Sequence, residues 1–233
     1  MNIILRNIPN TITILNLICG LFSIYFAFEQ DLQNASYLIF FGAIFDFLDG
    51  LVARILKISS EFGKQLDSFS DIVTFGVAPG YIIFHLIDEK LNFNSCDLTI
   101  IPLVAIIIPV LSACRLALFN IDKKQTNQFS GLPTPAVALF FASIPLANIL
   151  LFPVFDNIYF ITISAFIMPF FLIIPLPLFS LKFKRKEKIN SQLNILRILR
   201  LFISMILFCV FKFAALPFIV FLYIILSIIN NVI

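Results

Sequence analysis

The chain has 233 residues, of which 61% are apolar and only 12% charged, and its mean hydropathy is +1.05. Soluble domains carry about twice that share of charge, and a fold of this size cannot bury so much apolar surface. These values exclude a disordered chain, a fibrous chain, a nucleic-acid binder and an ordinary cytosolic enzyme. They leave an all-α integral membrane protein.

A spanning helix needs ~20 mostly apolar residues. The first such run, Ile12–Phe28, begins after the polar Pro9-Asn10, and no small-residue cleavage site follows it. It reads as a membrane span, not a removable signal. Further runs follow at Ala35–Leu56, Leu66–Leu86, Leu98–Leu118, Leu132–Phe152 and Ile158–Leu181. A polar, basic stretch comes next. The last apolar run, Leu199–Val232, is too long for one span and contains Lys212 and Pro217. It predicts two helices with a turn near those residues, for eight spans in all. The expected organisation is a six-helix core over 1–181, a basic loop over 182–198 and a helix pair over 199–233. Cys19, Cys114 and Cys209 fall inside apolar runs and read as small buried hydrophobes. Cys96 stands apart, and no CxxC spacing occurs.

The basic residues predict orientation. With the N-terminus in the cytoplasm, all of the 16 basic residues except Lys90 and Lys212 fall on the inner side. The outer turns carry Glu29, Asp31, Asp88, Glu89, Asp97 and Asp156 instead. Both termini are then cytoplasmic. The cluster Lys182–Lys188 reads as a stop and orientation signal, with attraction of anionic lipid headgroups as a second role.

Four acidic residues sit at helix depth, where ionisable groups are costly and usually functional. Asp46 and Asp49 are i, i+3 on the second span, and Asp67 and Asp71 are i, i+4 on the third. Each pair occupies one helix face. The two helices are joined by a short turn, so all four carboxylates are expected near the cytoplasmic ends. Such a cluster must be partly protonated or hold cations. Arg54 and Lys64 can offset only part of the charge. An all-oxygen donor set without His or Cys suits two divalent ions, Mg²⁺ or Mn²⁺, as used in phosphoryl transfer. Gly50, Ala53 and Gly63 would let a diphosphate approach the backbone. The competing readings are Asp–Arg pairing across helices and a carboxylate relay in a transporter.

Residues 46–71 contain the pattern D-x2-D-G-x2-A-R-x8-G-x3-D-x3-D, eight fixed positions in a 26-residue window. This resembles the signature of the CDP-alcohol phosphatidyltransferase family. The resemblance implies a six-helix membrane core, a homodimer, and displacement of CMP from a CDP-linked lipid by an alcohol. By the same resemblance Asp46, Asp49 and Asp67 are metal ligands. Asp71 is a ligand and the general base. Gly50, Ala53, Arg54, Ser60 and Gly63, with Pro9, Asn10, Thr11 and Ile12, contact the CDP-lipid.

Three further blocks resemble the bacterial serine-using branch of that family: the stretches 9–20, 59–68 with 75–79, and 115–120 with 129–135. They imply CDP-diacylglycerol and L-serine as substrates and a bacterial cytoplasmic membrane as the location. Arg115 is the expected partner of the serine carboxylate or of the diphosphate. Asn120, Gly131 and Thr134 border the same loop and read as acceptor contacts or as caps and turns. Leu118 departs from the pattern, where relatives often carry Arg. The sister reading is an enzyme using glycerol-3-phosphate or inositol. His85, near the outer end of the third span, reads as structural.

Overall fold

The computed structural model describes residues 3–93, 100–121, 131–147, 152–174, 207 and 211–232. Lys123, Lys124, the Lys182–Lys188 cluster, Arg197, Arg200, Cys96, Cys209 and Asp97 lie outside the described residues, as does most of the expected seventh span.

The described chain is all helical. Helix α1 runs Ile3–Phe28, α2 Leu32–Leu56 and α3 Glu61–Ile72. A single π turn, Val73–Val77, leads straight into α4, Ala78–Phe93. A 3₁₀ segment, Ile101–Ile106, precedes α5, Ile107–Ile121. Helices α6 (Thr134–Ser143) and α7 (Ile158–Ile167) are short, and α8 covers Ala215–Val232. Among the described residues, three stretches are long and apolar enough to cross a membrane: Asn7–Phe28, Glu61–Leu91 and Ile101–Ile121. Helix α2 has 25 residues, ~37 Å of rise, against a hydrocarbon core of ~30 Å. The expected fifth span ends early as a helix, with α6 stopping at Ser143, and the sixth changes to a 3₁₀ turn at Met168–Leu172. Near the expected turn, Lys212 has φ 51° and opens a 3₁₀ segment, Lys212–Ala214, that leads into α8.

Local chemistry explains the joints. Asp31 caps α2, accepting from the Asn34 amide through Oδ1 at 3.1 Å. Lys57 ends α2 in the left-handed region at φ 54°. The Ile58 amide then reaches the Ala53 carbonyl, and the Lys57 amide the Arg54 carbonyl. This is the closing pattern that glycine usually supplies. Ser60 caps α3 by accepting from the Gly63 amide at 3.0 Å. The π turn adds one residue to the helical repeat, rotating α4 by ~100° relative to α3. The face that bears Asp67 and Asp71 therefore gives way to the apolar face of Ile82, Ile83 and Ile87.

Helix α1 lies along α2 and α3. Small residues let these helices close up: Ala27, Ala35, Ala78, Ala138 and Ala142 pack with Ile39, Phe75 and Ile82. A larger cluster, including Phe140, Phe141, Ile161 and Leu172, joins α4 to α8. Phe213 packs on Tyr37 and Phe40 of α2, and Phe221 on Phe140 of α6. The final helix thus braces the flank of the core. At the end formed by the α1–α2 turn, Glu29, Asp31, Lys90 and Asp156 share one pocket, and Lys90 pairs with Asp156. Cys19 is buried as expected, but Cys114 is exposed. It falls between Ser112 and Arg115, whose buried face points to the core, so Cys114 turns outward.

Thr74 is clamped between two glycines. A Cβ on Gly20 would lie 2.4 Å from Thr74 Oγ1 and 2.9 Å from its Cα, and one on Gly42 would lie 2.5 Å from Thr74 Cγ2. A Cβ on Gly50 meets nothing nearer than Arg54 Nη2 at 3.9 Å. Gly20→Ala should therefore cost about 1–3 kcal/mol by overpacking. Thermal unfolding in detergent should show a lowered midpoint for Gly20→Ala and an unchanged one for Gly50→Ala.

Candidate active site

The four aspartates converge at one end of the α1–α2–α3 bundle. Asp46, Asp49 and Asp67 each present one carboxylate oxygen, and the three oxygens lie within 4.8 Å of one another. Asp71 stands outside this trio. It is buried, and its Oδ1 accepts from the Asn16 amide at 3.3 Å. Asp49 is buried as well and accepts through Oδ2 from the Thr13 hydroxyl at 2.7 Å.

Charge compensation is missing among the described residues. Among the described residues no Lys or Arg forms an ion pair with any of the four. Lys64 pairs with exposed Glu61 at 2.8 Å, and Arg54 donates from Nε to the Gly50 carbonyl at 2.8 Å. Anionic oxygens this close, in low-dielectric surroundings, repel each other strongly. The trio fits hard divalent cations by donor type and by spacing.

Beside the trio lies a cleft lined by Pro9, Asn10, Thr13, Asp49, Gly50, Ala53, Ser60, Gly63, Lys64 and Asp67, among others. Most of the residues expected to contact a CDP-lipid are therefore together. Two are not. Thr11 is exposed and returns its hydroxyl to the Asn7 carbonyl at 3.1 Å, and Ile12 does not line the cleft. The reason is helical phase: α1 already runs from Ile3, so residues 9, 10 and 13 share a face that 11 and 12 leave. Ser60 is on the cleft wall, and its hydroxyl also has the capping role described above. Arg54 is exposed and folds back on the Gly50 carbonyl, next to the cleft residues Gly50 and Ala53.

Among the acceptor candidates, Asn120 donates to Ser68 Oγ at 2.9 Å, and a Cβ on Gly76 would lie 3.2 Å from Ser112 Cβ. These contacts set α5 antiparallel to α3, with Arg115 alongside the stretch that carries Asp71. Arg115 is only 5% exposed, its guanidinium carbon is 5.7 Å from the Phe119 ring centroid, and its Nε is buried without a partner. A buried guanidinium with no carboxylate beside it among the described residues is a ready anion site. Gly131 has φ 80°, and a Cβ there would lie 2.5 Å from the Leu172 carbonyl oxygen. That close approach accounts for the glycine. No hydrogen bond among the described residues joins Gly131 or buried Thr134 to the aspartates. His85 packs against Tyr81, with ring centroids 4.7 Å apart. It lies ~21 Å further along the helix from Asp71.

Sequence reasoning assigned no role to Thr13, Asn16 or Ser112. Ser112 is fully buried with an unpartnered hydroxyl, whereas Ser36, Ser68, Ser143 and Ser164 return theirs to their own helices. The signal for Thr13 and Asn16 was present: both are polar residues in an apolar span, with Thr13 three residues after Asn10 and Asn16 three after Thr13.

Residues 6–176 match the CDP-alcohol phosphatidyltransferase family. The chain belongs to that family. It is 38% identical over 128 residues to the CDP-diacylglycerol–serine O-phosphatidyltransferase of Bacillus subtilis, covering 55% of this chain and 69% of that protein. It is 44% identical over 132 residues to the Methanocaldococcus jannaschii protein of the same name, covering 57% of each. It is 33% identical over 138 residues to the archaetidylserine synthase of Methanothermobacter thermautotrophicus, covering 58% of this chain and 56% of the other. The matched stretch thus spans about two thirds of the first relative and little more than half of the other two.

Loss of one trio carboxylate should weaken Mn²⁺ binding to the purified protein by at least about tenfold. Electron paramagnetic resonance of free Mn²⁺ reads this directly for Asp46→Asn and Asp67→Asn. His85→Gln should bind as the parent does.

Proposed function

We propose that the chain transfers the phosphatidyl group of CDP-diacylglycerol to the hydroxyl of L-serine, giving phosphatidylserine and CMP. The carrying observation is the aspartate trio: three carboxylate oxygens within 4.8 Å of one another, beside a cleft, with no basic side chain among the described residues paired to them. The relatives' names support serine as acceptor, since both the phosphatidyl and the archaetidyl enzymes are named for it.

Asp46, Asp49 and Asp67, with Asp71, would hold two Mg²⁺ or Mn²⁺ ions, which when bound supply Lewis-acid stabilisation of the diphosphate charge. The protein's own groups do the rest. Pro9, Asn10, Gly50, Ala53, Ser60 and Gly63 shape the cleft for the diphosphate and nucleotide. Arg54 beside the cleft offers charge-assisted hydrogen bonds to phosphate oxygens. Arg115 holds the serine carboxylate. Asp71 takes the proton of the serine hydroxyl. The serine oxygen forms a bond to the phosphorus that carries the diacylglycerol. The bond from that phosphorus to the bridging oxygen breaks, and CMP leaves with the electron pair.

The reading extends to the setting. The active end faces the cytoplasm of a bacterial cell, in the inner membrane, with both termini on that side and eight spans in total. The basic pattern supports this orientation. The working form is a homodimer, as the family resemblance implies. The basic stretch 182–198 joins the catalytic core to the last helix pair.

CMP release from CDP-diacylglycerol with Mn²⁺ should rise on adding serine and not on adding glycerol-3-phosphate or inositol. The reverse order of acceptors would overturn the reading. Asp71→Asn should lower turnover by about 10²–10⁴-fold, the usual worth of a positioned base, with helicity retained. Arg115→Ala and Arg115→Lys should raise the Michaelis constant for serine more than that for CDP-diacylglycerol. An unchanged serine constant would remove Arg115 from that role.

A further inference from the structure

One face of α1 carries Asn10, Thr13, Asn16 and Gly20, spaced three, three and four residues apart. Each meets the α2–α3 fork. Asn10 Oδ1 would be 2.9 Å from a Cβ on Gly63, and Gly20 abuts Thr74. Between them, Thr13 and Asn16 use both side chain and backbone. The Thr13 hydroxyl donates to Asp49, and its carbonyl accepts from Ser70 Oγ at 3.1 Å. The Asn16 amide donates to Asp71, and its carbonyl accepts from Thr74 Oγ1 at 3.0 Å. All of these groups are buried. The Thr13 hydroxyl also lies 3.0 Å from the Pro9 carbonyl, but it has one proton to give. The shorter contact, at 2.7 Å, is to the charged acceptor. Charge-assisted bonds are shorter and stronger than neutral ones, so the proton points to Asp49.

We propose that Thr13 and Asn16 are positioning residues for the metal centre: Thr13 fixes the rotamer of Asp49, and Asn16 that of Asp71. Helix α1 supplies none of the four aspartates, yet it is the element that bonds one from each pair. The carboxylates of α2 and α3 are thereby oriented from a third helix. A free carboxylate rotates about two side-chain bonds, and a second partner that holds one oxygen leaves the other aimed at a cation. The inference rests on the metal reading of the aspartates and is independent of which alcohol is used.

The test is direct Mn²⁺ binding to purified protein, read by electron paramagnetic resonance without substrate. Thr13→Val keeps the shape and removes the hydroxyl, and should weaken binding by about 10–100-fold, the usual cost of losing a partner of a ligand. Thr13→Ser restores the donor and should restore binding. Adding Thr13→Val to Asp49→Asn should cost little beyond Asp49→Asn alone, because the two act through one oxygen. That comparison remains decisive even if Thr13→Val lowers stability. Additive losses, or a Thr13→Ser protein as weak as Thr13→Val, would show a packing role only and overturn the proposal. Parent-like binding in both Asp49→Asn and Asp67→Asn would instead defeat the metal reading itself. For Asn16, Asn16→Leu should lower kcat with the Michaelis constant for CDP-diacylglycerol unchanged. A change in that constant with kcat intact would count against it.

Discussion

The seam between α1 and the α2–α3 fork holds four buried hydrogen bonds within two turns of helix, through Thr13 and Asn16. Apolar packing alone does not set a register finely, because Ile and Leu surfaces slide past one another at small cost. Buried polar groups do, since a misregistered donor or acceptor loses its partner where no water replaces it. Gly20 and Gly42 bring the three backbones close enough for Thr74 to fit between them. The carboxylate geometry follows from that seam. Asp49 and Asp71 are aimed by α1, and Asp46 and Asp67 follow as their helical neighbours.

The seam leaves an electrostatic deficit. Four carboxylates share a small region, while Lys64 and Arg54 are committed elsewhere. A protein built only for stability would pair these charges or remove them. Among the described residues no cation balances them, and that suits a site which takes cations. Arg115 is the mirror image: a buried cation with no anion beside it among the described residues. The two imbalances lie on neighbouring helices, α3 and α5. An anionic substrate bridged by cations at one and held by the guanidinium at the other would neutralise both.

The opposite end of the bundle is chemically unlike this one. Its acidic turns are exposed, and Lys90 is paired with Asp156. Between the ends, large apolar side chains such as Phe22, Phe41, Ile106 and Ile163 face outward. Such a surface suits lipid. It lets a molecule with acyl chains lie against the helices while its polar head enters the cleft beside Gly50.

Spacing alone located the aspartates, because helical periodicity is local and short-range. The i, i+3 and i, i+4 pairs needed only the α-helical repeat to share a face. Apolar runs likewise announced membrane helices, since lipid demands unbroken hydrophobicity. Phase and tertiary contact decided the rest. Thr11 and Ile12 were grouped with Pro9 and Asn10 as neighbours in sequence, yet α1 turns them away. Gly131 read as an acceptor contact or a turn, and its positive φ against Leu172 fits the turn. Cys114 was expected inside and lies outside. Lys57 takes a left-handed closing position that no glycine signalled.

The amino-acid sequence by itself determined the solvent this protein lives in, the family pattern and the chemical character of the site. Those depend on composition and on residues close together along the chain. Tertiary structure decided which carboxylates form the trio, that Asp71 stands apart beside Asn16, and that Arg115 is buried with its Nε unpartnered among the described residues. It also decided that α1, without an acidic residue among the four, bonds Asp49 and Asp71. These facts depend on contacts between residues 36 to 58 positions apart, through a seam whose register no local repeat encodes.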